Sequence, residues 1–441
     1  MLINNVFLPL GGGNEIGASC YFLQLDNTKI IIDAGIRYNS KKLLPSFNIL
    51  YKLDFLDSLT QLDAVIITHG HLDHCGALPY LFSQARNVPI YATKQTKQIA
   101  ELLYNDINKE ININNSEFDL YLYNRLLIEN TLANVRVIKF YDTVKIKNLE
   151  ISFFPAGHIL GAAMIFIKSN EKNVLITGDF SSFDQYTVKK YEVPENLNID
   201  LLITETTYGY QNIDFKSGIE CERSDFINMI GNKILKGGTV LIPAFAIGRT
   251  QEIALLLNDY FQKNNNIKFP VYIGGLASLA CNIYEENGIK IFNNDIKIAP
   301  YSLKKLKKSL IIASSGMLLK DTTSYNIACR LIEYEDNMIC FSGYLDEESP
   351  GNELMKMGKG GLFKNDSKEI KINAEITKYR LSAHTNIEGI FELINKVNPK
   401  ELIFVHGIPD FSSEINIYSE LLKRNKRIIV HQSINELPIY F

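Results

Sequence analysis

Residues 66–78 read IITHGHLDHCGAL, and they place three histidines and an aspartate between positions 69 and 74 of a chain with seven histidines in all. The run before them, DAVIITH, has the length and β-branched content of a buried strand. His69 then emerges at the carboxyl end of that strand, and His71 points the same way if the chain stays extended. Asp73 and His74 begin a turn or helix, so one short loop aims four donors at a common region. Imidazole and carboxylate together suit Zn²⁺, with Mn²⁺ or Fe as alternatives. A polar loop with Asp73 capping a helix would explain any one of these residues, but not H-x-H-x-D-H as a unit.

The rest of the chain must supply a scaffold. At 441 residues it is long enough for two or three domains, and 46% apolar with 22% charged residues is an ordinary globular balance. A net charge of −3 argues against a protein that holds nucleic acid by a bulk positive field and leaves room for a local basic groove. The densest basic run, Lys304, Lys305, Lys307 and Lys308, reads as a solvated face. Six cysteines (Cys20, Cys75, Cys221, Cys281, Cys329 and Cys340) are scattered without a C-x-x-C pair, as expected of reduced thiols. The start MLINNVFLPLGGG has neither a basic region nor a long apolar stretch, and no segment reaches the roughly 18 apolar residues of a membrane helix. The expectation is a soluble, cytoplasmic protein without a membrane partner.

From residue 5 to about 210 short strand-like runs (YFLQL, TKIIIDAG, DAVIITH, PIYAT, LEISFFPAG, NVLITGD) are interrupted by one helical stretch, KQTKQIAELLYNDINKEI. From about 222 helices and strands alternate strictly, which predicts a parallel sheet with both faces covered. After about 372 the pattern returns to strands and helices that could complete the first half, making the middle an insertion. The expected divisions are 1–208, 209–372 and 373–441.

Two further segments suit the histidine loop. His158 in FFPAGHILGAA follows an apolar run and sits among small residues, and Asp179 in NVLITGDFS ends a strand, where a carboxylate can bridge two cations. His69, His71, Asp73, His74, His158 and Asp179, with Asp33 in IIIDAGI ahead of them, resemble the metallo-β-lactamase fold in order and spacing. That resemblance implies an α/β protein, an αββα sandwich with a two-metal site at one sheet edge. Glu205 in LLITETTYG, His384 in RLSAHTN and His406 in LIFVHG resemble motifs A, B and C of the β-CASP branch. This branch of nucleases carries an inserted β-CASP domain and includes a pre-mRNA 3′-end cleavage endonuclease and bacterial RNase J. Six of the seven histidines fall on these motifs, leaving only His431.

The resemblance implies two Zn²⁺ ions, with Mn²⁺ as an alternative. His69, His71 and His158 would hold one, Asp73, His74 and His406 the other, and Asp179 would bridge them and share an activated water. It makes Asp73 the residue that orients the nucleophile and His384 the general acid, with Glu205 on its other nitrogen. The implied substrate is single-stranded RNA, cleaved as an endonuclease, as a 5′-to-3′ exonuclease, or both. Histidine at motif C favours RNA, since DNA-repair members typically carry valine there. The inserted domain is expected to close over the site, with Arg249 in PAFAIGRTQE and Ser314, Ser315 and Gly316 in ASSGML contacting phosphate. A homodimer is an open alternative to a single chain. The rival readings are a small-ester or thioester metallo-hydrolase, a DNA-acting β-CASP nuclease and a non-catalytic RNA-processing scaffold. GGGNEIGAS has the spacing of a nucleotide loop, but Ala18 stands where the phosphate lysine belongs, so it reads as a tight turn. Asn386 replaces the usual aspartate after motif B, and Ile408 replaces the glutamate of H-G-E.

Overall fold

Strands whose alternate residues are both apolar are built to be buried on two faces, and the chain has many. In the computed structural model, which describes residues 5–37, 42–110, 123–195, 197–210, 219–264, 268–300, 307–343, 345–365, 368–410, 416–424 and 428–441, they form two seven-stranded sheets and one six-stranded sheet. The chain divides into two compact units, 1–213 with 384–441, and 214–383.

In the first unit, one sheet runs edge to edge through Ile439–Tyr440, Val6–Gly11, Cys20–Leu25, Thr28–Ile32, Ala64–Ile66, Ile90–Ala92 and Val135–Val137. The other runs through Ile429–His431, Glu401–Val405, Leu201–Glu205, Asn173–Ile176, Ala163–Lys168, Leu149–Pro155 and Thr143–Ile146. Their facing residues follow a period of two: Leu23 and Leu25, Ile30 and Ile32, Ala64 and Ile66 on one side, and Ile151 and Phe153, Ile165 and Ile167, Ile203 and Ile403 on the other. All of these are essentially inaccessible, and a side chain of this size contributes roughly 1.5–3 kcal/mol when fully buried. The intervening residues Phe22, Ile31, Val65, Leu175, Leu202 and Leu402 are buried too, on the outer, helix-bearing faces. Helix Ile387–Val397 shows why: Ile387, Ile390, Phe391, Leu393, Ile394 and Val397 form one buried stripe.

The second unit has a sheet ordered Ile296–Ile298, Val271–Gly274, Leu310–Ala313, Val240–Pro243, Met338–Phe341 and Glu375–Lys378, and every neighbouring pair is parallel. Helices Arg249–Lys263, Leu276–Glu286 and Thr323–Leu331 lie on crossovers between its strands, and Ile219–Leu235 leads into the first of them. The helix Pro350–Met357 and the hairpin Leu362–Lys364 with Glu369–Lys371 carry no strong sequence signal, being short and half exposed. The strand Glu375–Lys378, expected to return to the first unit, pairs instead with Met338–Phe341, so the chain crosses back after Ala383.

No described helix is long and apolar enough to cross a membrane. All six cysteines are free. Lys307 and Lys308 are exposed in a turn, while Lys304 and Lys305 lie outside the described residues, as does most of the Asn-rich stretch near 111–116.

Candidate metal centre

Strand direction sets the site. In the second sheet Asn173–Ile176, Leu201–Glu205 and Glu401–Val405 are mutually parallel, and Leu149–Pro155 shares their direction through two antiparallel pairings. The segments carrying His158, Asp179, Glu205 and His406 therefore emerge at one edge. In the first sheet Thr28–Ile32 and Ala64–Ile66 are parallel, which sends Asp33 and His69 out side by side.

The H-x-H-x-D-H segment is held by its own backbone. His71 precedes the four-residue helix Leu72–Cys75 in an extended conformation without a side-chain cap bond, so its ring is left for the site. The neighbouring D-A-G turn grips that helix through Ala34 N to His74 O (2.7 Å) and Ile36 N to Leu72 O (3.0 Å), while Ser19 N donates to Asp73 O (2.9 Å). Gly35 is required there by space alone, since a Cβ would fall 1.7 Å from Asp73 O. Gly35→Ala is expected to destabilise the fold by about 1–3 kcal/mol, the cost of overpacking, measured as a shift in the urea midpoint.

The donors converge in two groups whose ligating atoms lie within 4.8 Å of one another: His69, His71, His158 and Asp179, and Asp73, His74 and His406. In the first, His69 Nε2 and His158 Nε2 each approach His71 Nδ1 to 3.2 Å. Asp179 lies between the groups, its Oδ2 3.6 Å from His69 Nε2 and 3.7 Å from His158 Nε2, its Oδ1 3.3 Å from His74 Nε2 and 3.4 Å from His406 Nδ1.

The side chains behind these donors fix their tautomers. Asp33 Oδ2 accepts from His74 Nδ1 (2.8 Å) and from Thr68 Oγ1 (2.8 Å), and Thr68 Oγ1 in turn lies 3.1 Å from His69 Nδ1. Both histidines thus keep their Nδ1 protons, and Nε2 is the atom each turns to the centre. Burial, reinforced by the His74 charge, holds His69 well below the usual imidazole range, and burial likewise lowers His71, so both rings are neutral. Burial also opposes a charge on His74, but the Asp179 and Asp33 carboxylates outweigh it and raise this group well above its ordinary value. A divalent cation would displace that proton. Burial resists ionisation of Asp179 as well, yet the His406 and His74 charges keep its carboxyl well below the usual range. Its Oδ1 is fully buried with no hydrogen-bond partner, which is costly for a carboxylate oxygen unless a cation satisfies it. Neutral imidazoles, ionised carboxylates and that orphaned oxygen fit divalent cations of the zinc type.

Asp179, Glu205 and His384 also lie close enough to form a third donor group. Glu205 is a poor ligand there, because both its oxygens are taken. Oε1 accepts from Phe180 N (2.8 Å) and His384 Nδ1 (3.1 Å), and Oε2 from His384 Nδ1 (2.9 Å) and the Thr207 hydroxyl (2.5 Å). His384 is the outermost of these rings, its side chain 21% exposed against 1% for Glu205. Burial disfavours its charged form, but the Glu205 and Asp179 carboxylates raise it to about 9. The arrangement is a protonated imidazole, oriented from behind, with Nε2 turned away from the carboxylate.

Arg249 opens the helix Arg249–Lys263 of the second unit behind Gly248, and it is buried. Ser315 and Gly316 follow the strand next to that helix's own, and a Cβ on Gly316 would lie 3.0 Å from Phe245 N, so these two turns are packed together. The Ser315 hydroxyl accepts from Met317 N (3.3 Å) and Leu319 N (3.4 Å) and so caps its own turn. Asn386, at the departure from motif B, caps the helix Ile387–Val397 through Gly389 N (3.0 Å), and Ile408 is 58% exposed. The glycine-rich turn packs under motif C, with Gly12 O accepting from His406 N (2.7 Å). His431 pairs with Glu401 at 2.7 Å, away from the donor groups. Sequence reasoning missed Gln185, whose amide holds the carbonyls of Gly157 (2.7 Å) and His158 (2.8 Å), and it missed the threonines at 68 and 207. Thr68 adjoins His69 and could have been suspected, whereas Gln185 lies 27 residues from the loop it supports and gives no signal.

Residues 13–190 match the Metallo-beta-lactamase superfamily, 250–354 the Beta-Casp domain, and 369–430 a Zn-dependent metallo-hydrolase RNA specificity domain. A probable RNase of Methanocaldococcus jannaschii is 30% identical over 90% of this chain and 92% of its own length. The chain belongs to the β-CASP ribonuclease family. An Integrator complex subunit 11 homolog of Dictyostelium discoideum is 32% identical over 91% of the chain, which spans 57% of that relative, and an endoribonuclease of Schizosaccharomyces pombe is 27% identical over 98% of the chain and 58% of its own length. A crystal structure of a protein of unknown function from Enterococcus faecalis V583 superposes over 99% of the chain with a TM-score of 0.62 at 14% identity, and shares the fold.

Proposed function

We propose that the chain hydrolyses phosphodiester bonds of single-stranded RNA, with two zinc ions held by His69, His71 and His158 and by Asp73, His74 and His406, and with Asp179 shared between them. The observation that carries this reading is the convergence of the two donor groups on the buried, unpartnered Asp179 oxygen, with an oriented His384 beside them. Bound divalent cations supply charge to stabilise a phosphoryl group and lower the pKa of water. The chain's residues do the rest. Asp73, 19% exposed at its side chain, orients the attacking water, and His384 donates its Nε2 proton to the departing ribose oxygen while Glu205 balances the imidazolium charge. Arg249, Ser315 and Gly316 are assigned to RNA contacts. The RNA specificity domain match and the names of the relatives favour RNA over DNA.

The test offers the purified chain single-stranded RNA, in linear and circular form, single-stranded DNA and a thioester. Cleavage of RNA well above the other two is expected. Preferential hydrolysis of the thioester would overturn the reading, and cutting of the circle would assign an endonucleolytic mode.

A further inference from the structure

The strands ending at Glu205 and Val405 are parallel neighbours, and just beyond them one hydroxyl touches both motifs. Thr207 Oγ1 lies 2.5 Å from Glu205 Oε2, 3.0 Å from His406 Nδ1 and 3.2 Å from the His406 carbonyl oxygen. A hydroxyl carries one hydrogen, and an ionised carboxylate carries none. The short contact to Glu205 therefore takes the hydroxyl hydrogen, and toward the imidazole Thr207 can only accept. In the form that can ligate a cation, His406 then carries its proton on Nδ1 and turns the Nε2 lone pair toward Asp73 Oδ2, 3.3 Å away. Two acceptors set side by side need a cation to relieve them. The first donor group repeats the device, since Thr68 donates to Asp33 and accepts from His69 Nδ1.

Packing holds the hydroxyl in place. Thr206 N donates to Val405 O (2.8 Å), and a Cβ on Gly407 would fall 2.4 Å from Thr206 Oγ1, so the two chain segments touch without a side chain between them. His406 itself sits in the left-handed region at φ 50°, a conformation such a residue keeps only where its surroundings impose it.

We propose that Thr207 is a positioning residue that serves both halves of the site: it locks His406 in the tautomer that offers Nε2 to a cation, and it aligns Glu205 against His384. The second half rests on the ribonuclease reading above. Two variants of the full chain test it, Thr207→Val, which deletes the hydroxyl at constant shape, and Thr207→Ser, which keeps it. Each metal-free protein is titrated with Zn²⁺ by calorimetry, and each zinc-loaded protein is assayed on single-stranded RNA. Thr207→Val is expected to weaken one zinc-binding event by about 10–100-fold and to lower kcat by a similar factor with KM unchanged, the range seen for partners behind a metal ligand. Thr207→Ser is expected to restore both. Unchanged zinc affinity in the valine variant overturns the proposal, and so does a serine variant as impaired as the valine one, because the methyl group would then be what matters. The zinc titration needs no RNA: if the unmodified chain binds zinc but cleaves no RNA, the functional reading fails and the titration still decides the role of Thr207.

Discussion

Replacing His384 with alanine is expected to reduce RNA cleavage by about 10²–10⁴-fold, the contribution of a positioned general acid, while the bound metal stays unchanged. The separation of these effects follows from geometry. His384 Nδ1 is committed to Glu205, whose other contacts are Phe180 N and the Thr207 hydroxyl, and the two donor groups built on His69 and His74 are complete without it. Its side chain is 21% exposed, whereas the other rings of the site are 0–3% exposed at their side chains, His71 apart. Glu205→Gln keeps the shape but removes the charge that balances the imidazolium, so a smaller loss of the same kind is expected. Metal analysis alongside single-turnover cleavage checks both variants. Loss of metal from His384→Ala, in proportion to its loss of activity, would make His384 a ligand instead.

Asp179→Asn is expected to have the opposite signature, losing metal and activity together. Asp179 offers one oxygen to each donor group, and its charge is set against imidazoles on both sides. Asparagine retains an acceptor but not the charge, so cation affinity should fall by more than the roughly 100-fold that bounds changes made behind a ligand. Stability follows. A cation that binds only the folded chain contributes about 4.1 kcal/mol per site when its free concentration is a thousand times Kd. Zinc should therefore raise the Tm of the unmodified chain strongly and that of the variant little, as read by calorimetry at matched zinc concentrations. An equal zinc-dependent rise in both would remove Asp179 from the centre.

The candidate donors were legible in the sequence because histidine and aspartate rarely fall at such constrained spacings. His69, His71, Asp73 and His74 lie on one short segment, and the partners from afar, His158, Asp179 and His406, each follow an apolar strand, the place where a sheet edge presents side chains. The parallel sheet of the middle segment was legible for a similar reason: buried runs such as VLIP and LIIA alternate with amphipathic helices. What was hidden is the layer behind the donors. Thr68, Thr207 and Gln185 act through hydrogen bonds fixed by backbone register, as where the strand ending at Glu205 pairs with the one ending at Val405. Threonine and glutamine are too common to stand out by type. The edge strand Glu375–Lys378 falls within the expected division 373–441 yet pairs with Met338–Phe341, because four half-exposed residues carry no mark of their partner in the sequence.

The most direct measurement is a metal titration of the chelator-treated chain with cleavage of single-stranded RNA followed on the same samples. Cleavage should be absent in chelator and should return in step with bound zinc, reaching a plateau at two ions per chain. RNA cleavage that survives complete removal of metal, or a chain that binds no zinc at these residues, would contradict the account.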